Sequence, residues 1–316
     1  MNFLVTGGLG FIGSYVCKAL LDKGHSVVAF DLLVETNVAE TIFTPADMDR
    51  IEVVPGDITD PLQVMGAINR YNVDHVVHLA SLLIPASNAN PNSAVKINCG
   101  GLVNILEAAR LLGIGRVVWA SSVAVFGSPD EYPEEFIPNE APHRPKSVYG
   151  ACKSLCENLA FHYFDHFQVD SIGLRFTAVY GPGRIRGASA FATELIEKPA
   201  LGMASKVPHG DDVIDWQYVK DIADMTVLAT EVPTTGTRVF NTRSDIRSVR
   251  EAADFVRQLF PGVRIQLQPG TFGIAWKLDD RGLKEEIGFE PKYSMEEGIR
   301  ETAQAARVKA GLEPIS

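Results

Sequence analysis

The fold predicted is α/β: a doubly wound parallel sheet with helices on both faces and, by length, a smaller appended lobe. Three observations predict it. A glycine-rich turn, Thr6-Gly7-Gly8-Leu9-Gly10-Phe11-Ile12-Gly13, joins the apolar run Asn2-Phe3-Leu4-Val5 to a helical pattern. Short β-branched runs then alternate with helical patterns through the first half, as a sheet buried on both faces requires. Finally, the 316 residues are 46% hydrophobic, enough for a large core.

The glycine turn has the spacing of a dinucleotide cradle, which makes the sheet Rossmann-type. Gly7 takes a sharp turn, Gly10 leaves the main chain open to a pyrophosphate, and Gly13 lets the helix press on the strand. Ile12, Val16, Ala19 and Leu20 lie on one helix face, so the positive end of the helix dipole, near Phe11 and Ile12, points at the phosphates. Strands are expected at Phe3–Val5, Ser26–Phe30, Ile51–Val54, Asp74–Leu79, Arg116–Ala120 and Ser171–Leu174. Helices are expected near 13–23, 60–70, 93–112 and 147–167, and the Pro-rich stretch Ser128–Pro145 reads as a surface loop.

The second strand ends at Asp31, where a carboxylate accepts hydrogen bonds from both hydroxyls of an adenosine ribose. A 2′-phosphate would meet like charge there, so the cofactor expected is NAD and not NADP. After the third strand, Asp57 is placed to reach the adenine amino group and Ile58 to pack on the ring. The small residues of Leu79-Ala80-Ser81 leave room for the inner half of the cofactor, His78 reads as a packed strand histidine, and Asn98 is a candidate bridge near the site.

The fifth strand delivers Ser121-Ser122 to the edge where open α/β sheets bind ligands, and Tyr149-Gly150-Ala151-Cys152-Lys153 opens a later helix. Tyr149 and Lys153, spaced i,i+4, share a helix face. An ammonium about 4 Å from a phenolate, at an effective dielectric of ~20, favours it by roughly 4 kcal/mol, which makes Tyr149 a usable base. Ser122, Tyr149 and Lys153 are thus the candidate catalytic residues, with Tyr149 and Lys153 also touching the cofactor.

Net charge is −10, spread without long runs, which argues against nucleic acid or an anionic membrane as partner. No apolar run is long enough to span a bilayer, and the first strand begins at residue 2, so no leader segment is expected. The four cysteines show no zinc-type pair, which fits reduced thiols, no bound metal and a cytoplasmic location; Cys152 and Cys156 read as small buried residues on one helix face.

With these residues in place, the chain resembles the extended short-chain dehydrogenase/reductase family, whose members include nucleotide-sugar epimerases, dehydratases and dehydrogenases. The resemblance also covers Leu174–Gly183, Trp216–Ala223 and the tail Ile287–Pro291. It implies Ser122, Tyr149 and Lys153 as the catalytic triad and a homodimer formed by pairing helices near 93–112 and 147–167 as a four-helix bundle. It implies a Rossmann domain over 1–174 and, over 175–316, mainly a substrate lobe with some segments returning to the first domain.

Departures from the family pattern narrow the reaction. Val123 stands where dehydratases carry an acid, which disfavours elimination. The segment Arg175–Gly181, with Thr177 in it, lacks the asparagine usual in epimerases; Ile214 stands where they carry Arg, and Gln268-Pro269-Gly270 replaces Arg-Pro-Gly. Those losses remove much of what holds a nucleoside diphosphate. Arg184 and Arg186 are candidates to clamp a carboxylate or phosphate, Leu83 belongs to an apolar wall Leu82-Leu83-Ile84-Pro85, and Trp216 is a candidate substrate contact. The reading is an NAD-dependent dehydrogenase of a small, polar, non-nucleotide secondary alcohol or ketone, such as a hydroxy acid or sugar acid. The alternatives are a nucleotide-sugar 4-epimerase and a non-catalytic NAD-binding protein, the last disfavoured by the intact triad.

Overall fold

Successive residues of the first strand face opposite ways: Phe3 and Val5 join one hydrophobic cluster and Leu4 the other, and all three are fully buried. The same alternation separates Val27 and Ala29 from Val28 and Phe30, and Val118 from Val117 and Trp119. Strands apolar on both sides are stable only between two helical layers, and that is the arrangement in the computed structural model, which describes residues 1–33, 38–233 and 235–315.

In chain order the strands are β1 (Asn2–Thr6), β2 (Ser26–Asp31), β3 (Ile51–Pro55), β4 (His75–His78), β5 (Arg116–Ser122), β6 (Ser171–Phe176), β7 (Ala178–Tyr180), β8 (Ser205–Val207), β9 (Val213–Tyr218), β10 (Val239–Asn241), β11 (Asp245–Ser248) and β12 (Ile265–Leu267). The longer helices are α1 (Phe11–Asp22), α2 (Pro61–Arg70), α3 (Gly101–Leu112), α4 (Val148–Phe167), α5 (Phe191–Ala200), α6 (Val219–Glu231), α7 (Val249–Leu259) and α8 (Met295–Lys309). Seven strands form one parallel sheet in the order β10-β6-β5-β4-β1-β2-β3. Helices α1 and α6 pack together on one face, and α2, α3 and α4 cover the other. This is the Rossmann-type sheet expected from the sequence.

Strand order reverses between β1 and β4, so the crevice beyond their C-terminal ends is the topological switch point at which ligands bind. The last strand of the sheet, β10, comes from far along the chain and pairs with β6. Between and after these segments the chain builds a smaller lobe from a three-stranded sheet (β11-β9-β7), a two-stranded one (β12-β8) and helices α5, α7 and α8. Its centre is aromatic: the Tyr180 ring meets Trp216 at 5.4 Å and Tyr218 at 5.6 Å, and the Tyr218 hydroxyl bonds Glu301 at 2.7 Å.

The long helix expected over 93–112 is interrupted. A short helical turn, Pro91–Ala94, leads through a π turn at Val95–Gly100 into α3. A π turn inserts one residue and rotates the rest of the helix about its axis, and here it carries Asn98 and Cys99 inward, where both are buried. Helix α4 begins cleanly because the Ser147 hydroxyl accepts the Gly150 N–H at 3.0 Å.

Candidate active site

The glycine turn is fixed by close approach of backbone to backbone. Gly7 has φ +69°, and a Cβ there would lie 2.9 Å from the Ala80 nitrogen after β4. A Cβ on Gly13 would lie 2.0 Å from the Gly7 carbonyl oxygen, so only glycine lets α1 approach β1 this closely. Gly10 is different: a Cβ there would meet one atom only, the Gly7 oxygen at 3.1 Å, because the residue otherwise faces open space. No side chain caps α1 and its first turn carries no acid, so the N-terminal N–H groups of this helix stay available to an anion. On these observations the residues fit a dinucleotide.

Gly7, Gly10, Phe11, Ile12 and Gly13 line one continuous cavity of about 700 Å³ that runs along the switch point. Asp31, Asp57, Ile58, Leu79, Ala80 and Ser81 line it as well. The Asp31 carboxylate accepts the Leu9 N–H at 3.2 Å and the Leu33 N–H at 3.4 Å, and burial raises its affinity for a proton. It therefore ties the glycine turn to the end of β2 besides facing the cavity. Asp57 accepts both the Thr59 N–H and hydroxyl at 2.8 Å, an arrangement that holds Ile58 against Gly101.

His78 is packed in the sheet, as its place in the strand implied. The Thr6 hydroxyl oxygen accepts the Leu79 and Ala80 N–H groups, so its own proton goes to His78 Nδ1, 2.7 Å away. Burial, and next the nearby Lys153, push this imidazole down to about 3, and it stays neutral.

Ser122, Tyr149 and Lys153 all line the cavity. Lys153 Nζ donates to the Ala120 carbonyl at 2.6 Å and sits 5.6 Å from the centre of the Tyr149 ring. Ser122 leaves β5 with its hydroxyl oxygen accepting the Ala124 N–H at 3.2 Å. Beneath them, one turn along α4 from Lys153, Glu157 is fully enclosed. It pairs with Arg175 through two bonds of 2.7 and 2.9 Å, and it accepts the Ser121 hydroxyl and faces His143. Although burial alone would raise it, the bonds to Arg175 and His143 bring the carboxyl down to about 2. This network locks α4, β5 and β6 together under the site, and the sequence reading did not include it; a Glu four residues after the Lys is its only local signal.

Leu83, Thr177, Arg184 and Arg186 line the other half of the cavity. The acids of the lining, Asp31 and Asp57, both stand at the β2–β3 end, whereas Arg184 and Arg186 come from the segment after β7. Arg184 is half-buried: its guanidinium lies 5.4 Å from the centre of the Phe11 ring, Nη2 donates to Ser189 Oγ at 2.9 Å, and Nε has no partner among the described residues. Burial lowers it to about 10, and the Tyr149 phenol is near enough to act against that shift.

Two expected residues stand away from the cavity. Asn98 is buried behind the loop that follows β4; its side-chain oxygen accepts the Leu82 N–H at 2.7 Å and the Ser81 hydroxyl at 3.1 Å, and its amide donates to the Leu82 carbonyl. It shapes the wall without reaching through it. Trp216 is 1% exposed in the core of the smaller lobe, with its indole N–H on the Arg247 carbonyl at 3.0 Å. Conversely, Phe272, Ile274 and Trp276 line the cavity from an irregular stretch that periodicity does not single out. Ile214 is fully buried, in the same hydrophobic cluster as Trp216.

A model of the NAD dependent epimerase/dehydratase family matches residues 3–242. The UDP-glucose 4-epimerase of Mycolicibacterium smegmatis is 30% identical over 98% of this chain and 100% of that protein. Among solved structures, the UDP-glucose 4-epimerase of Thermus thermophilus in complex with NAD superposes with a TM-score of 0.83 at 28% identity, covering 97% of this chain and 99% of the other. The L-threonine dehydrogenase of Clostridium difficile gives 0.82 at 25% identity, covering 98% of each chain.

Proposed function

Given that the chain belongs to the NAD-dependent epimerase/dehydratase family, we propose that it is an oxidoreductase that interconverts a secondary alcohol and its ketone on a small non-nucleotide substrate. The observation that carries the reading is the convergence of Ser122, Tyr149 and Lys153 on one cavity that Arg184 and Arg186 also line. NAD, when bound, supplies the two-electron acceptor or donor. Gly7, Gly10 and Gly13 with Phe11 and Ile12 hold its diphosphate, Asp31 its adenosine ribose, Asp57 and Ile58 the adenine, and Leu79, Ala80 and Ser81 line its inner half.

The chain's own residues manage the proton. Tyr149 Oη takes it from the substrate hydroxyl during oxidation and returns it during reduction. Lys153, held by the Ala120 carbonyl, keeps its ammonium 5.6 Å from the centre of the Tyr149 ring, and Ser122 hydrogen-bonds the substrate oxygen to keep it in line. Arg184 offers the reacting molecule a fixed positive charge. Asn98 acts indirectly, by fixing the Leu82 backbone.

The second reading, a nucleotide-sugar 4-epimerase, is favoured by the likeness to the mycobacterial UDP-glucose 4-epimerase. Purified protein given NAD and a panel of hydroxy acids, sugar acids and secondary alcohols, with UDP-glucose and UDP-galactose alongside, separates the two. NADH from a non-nucleotide alcohol supports the oxidoreductase. Interconversion of the UDP-sugars without NADH establishes the epimerase instead. We also propose a homodimer built on α3 and α4 and, from four buried free thiols, a reducing cytoplasm. Among the described residues no helix is long and apolar enough to cross a membrane.

A further inference from the structure

We propose that the substrate is an amphiphilic hydroxy acid, or its keto form: one carboxylate, held by Arg184, and an apolar group of branched-alkyl or phenyl size, enclosed by Leu83, Phe272, Ile274 and Trp276. This rests on the oxidoreductase reading above and narrows it against sugar acids.

The carboxylate follows from Arg184. A half-buried guanidinium whose Nε is enclosed without a partner among the described residues is costly unless an anion meets it. The Phe11 ring and the bond to Ser189 hold it in the cavity that Tyr149 also lines. A Cβ on Gly187 would come within 2.9 Å of Arg184 Nη2 and 3.0 Å of Leu83 Cδ1, so glycine there keeps the charged and apolar contacts side by side.

The apolar group follows from how the facing wall is built. Asp212, nearly enclosed, accepts the Phe272 N–H at 2.8 Å and the Trp276 indole N–H at 3.3 Å, so these two donors of the wall are already satisfied. Thr177 donates its hydroxyl to Asp215 at 2.8 Å, and Ser189 accepts from Arg184. Hydroxyls of a polyhydroxylated acid that face the Leu83, Phe272, Ile274 and Trp276 side chains would lose their water without replacement. An alkyl or aryl group loses nothing there.

The test is the rate of NADH formation on matched compounds: 2-hydroxy- and 3-hydroxy-phenylpropanoates, phenyl alcohols without the carboxylate, and gluconate or galacturonate. Binding of phenylpyruvate in the presence of NAD is followed by tryptophan fluorescence. We expect kcat/KM for a phenyl hydroxy acid to exceed that of its neutral counterpart and of the sugar acids by about a hundredfold, the scale of one buried charge-assisted contact. Arg184→Gln should raise KM for the acid at least about tenfold more than for the neutral alcohol, with Arg184→Lys recovering part of the loss. Trp276→Phe, which keeps the wall's bulk, and Phe272→Ala, which opens it, should differ in the size of group accepted. Sugar acids or neutral alcohols turned over as well as phenyl hydroxy acids would overturn the proposal and leave the oxidoreductase standing. Interconverted UDP-sugars without NADH would remove both, and failure of every hydroxy acid to react or bind overturns the proposal.

Discussion

Asp215 lies fully enclosed in β9, its two oxygens accepting the Ser244 N–H and the Thr177 hydroxyl, each at 2.8 Å. Burial pushes this carboxyl up from 3.8 to about 7, so the unfolded chain releases the proton first and stability falls as pH rises across that interval. Asp215→Asn should therefore melt above the wild type at about pH 8, with the gap closing toward about pH 4; a gap independent of pH in thermal melts would contradict this. Tyr149 makes the complementary case, a side chain whose removal spares the fold. Tyr149→Phe should lower kcat by about 10²–10⁴ and leave NAD affinity close to unchanged, checked by single-turnover kinetics and calorimetry. Residues such as Gly13 and Asp31 were legible because a parallel sheet sends every strand end to the same crevice. Trp216 was not: β9 is flanked by strands on both sides and nearly all buried, so alternation along it gives no sign of which side chains reach a cavity.

At the scale of elements, the junction of α4 with β5 and β6 depends on the buried Glu157–Arg175 pair. Glu157→Gln leaves Arg175 enclosed without its counter-charge and should cost about 3–5 kcal/mol in urea unfolding; a loss under about 1 kcal/mol would show the pair to be dispensable. The π turn before α3 sets a different dependence. It brings Asn98 onto the backbone of Leu82, and Asn98→Ala should cost roughly 2–3 kcal/mol and accelerate hydrogen exchange at the Leu82 amide. Unaltered exchange there would show that the loop holds itself. The helix itself could be read from its apolar spacing, but the extra residue within it could not, since a π turn has no composition of its own.

For the molecule as a whole, Leu155 and Phe161 on α4 and Leu111 on α3 are each exposed by 41–52%. That is more apolar surface than a solvated helix pair needs, and it fits the proposed dimer. Sedimentation should give a species of about twice 34.4 kDa, and Leu155→Glu should shift it toward the monomer; a monomeric wild type would end that proposal. The two-layer sheet was readable from the alternating runs of the first half. The aromatic wall at Phe272 and Trp276 was not, because it belongs to an irregular stretch whose shape depends on Asp212, a residue distant in sequence.

The placement of β10 at the edge of the main sheet also governs how the chain reaches its native state. Until Val239–Asn241 leaves the ribosome, β6 presents an open row of backbone donors and acceptors, and the helix that covers this face beside α1 has only just been made. The main sheet therefore matures late in synthesis, and a nascent chain stopped near residue 175 would hold a sticky strand edge rather than a finished sheet.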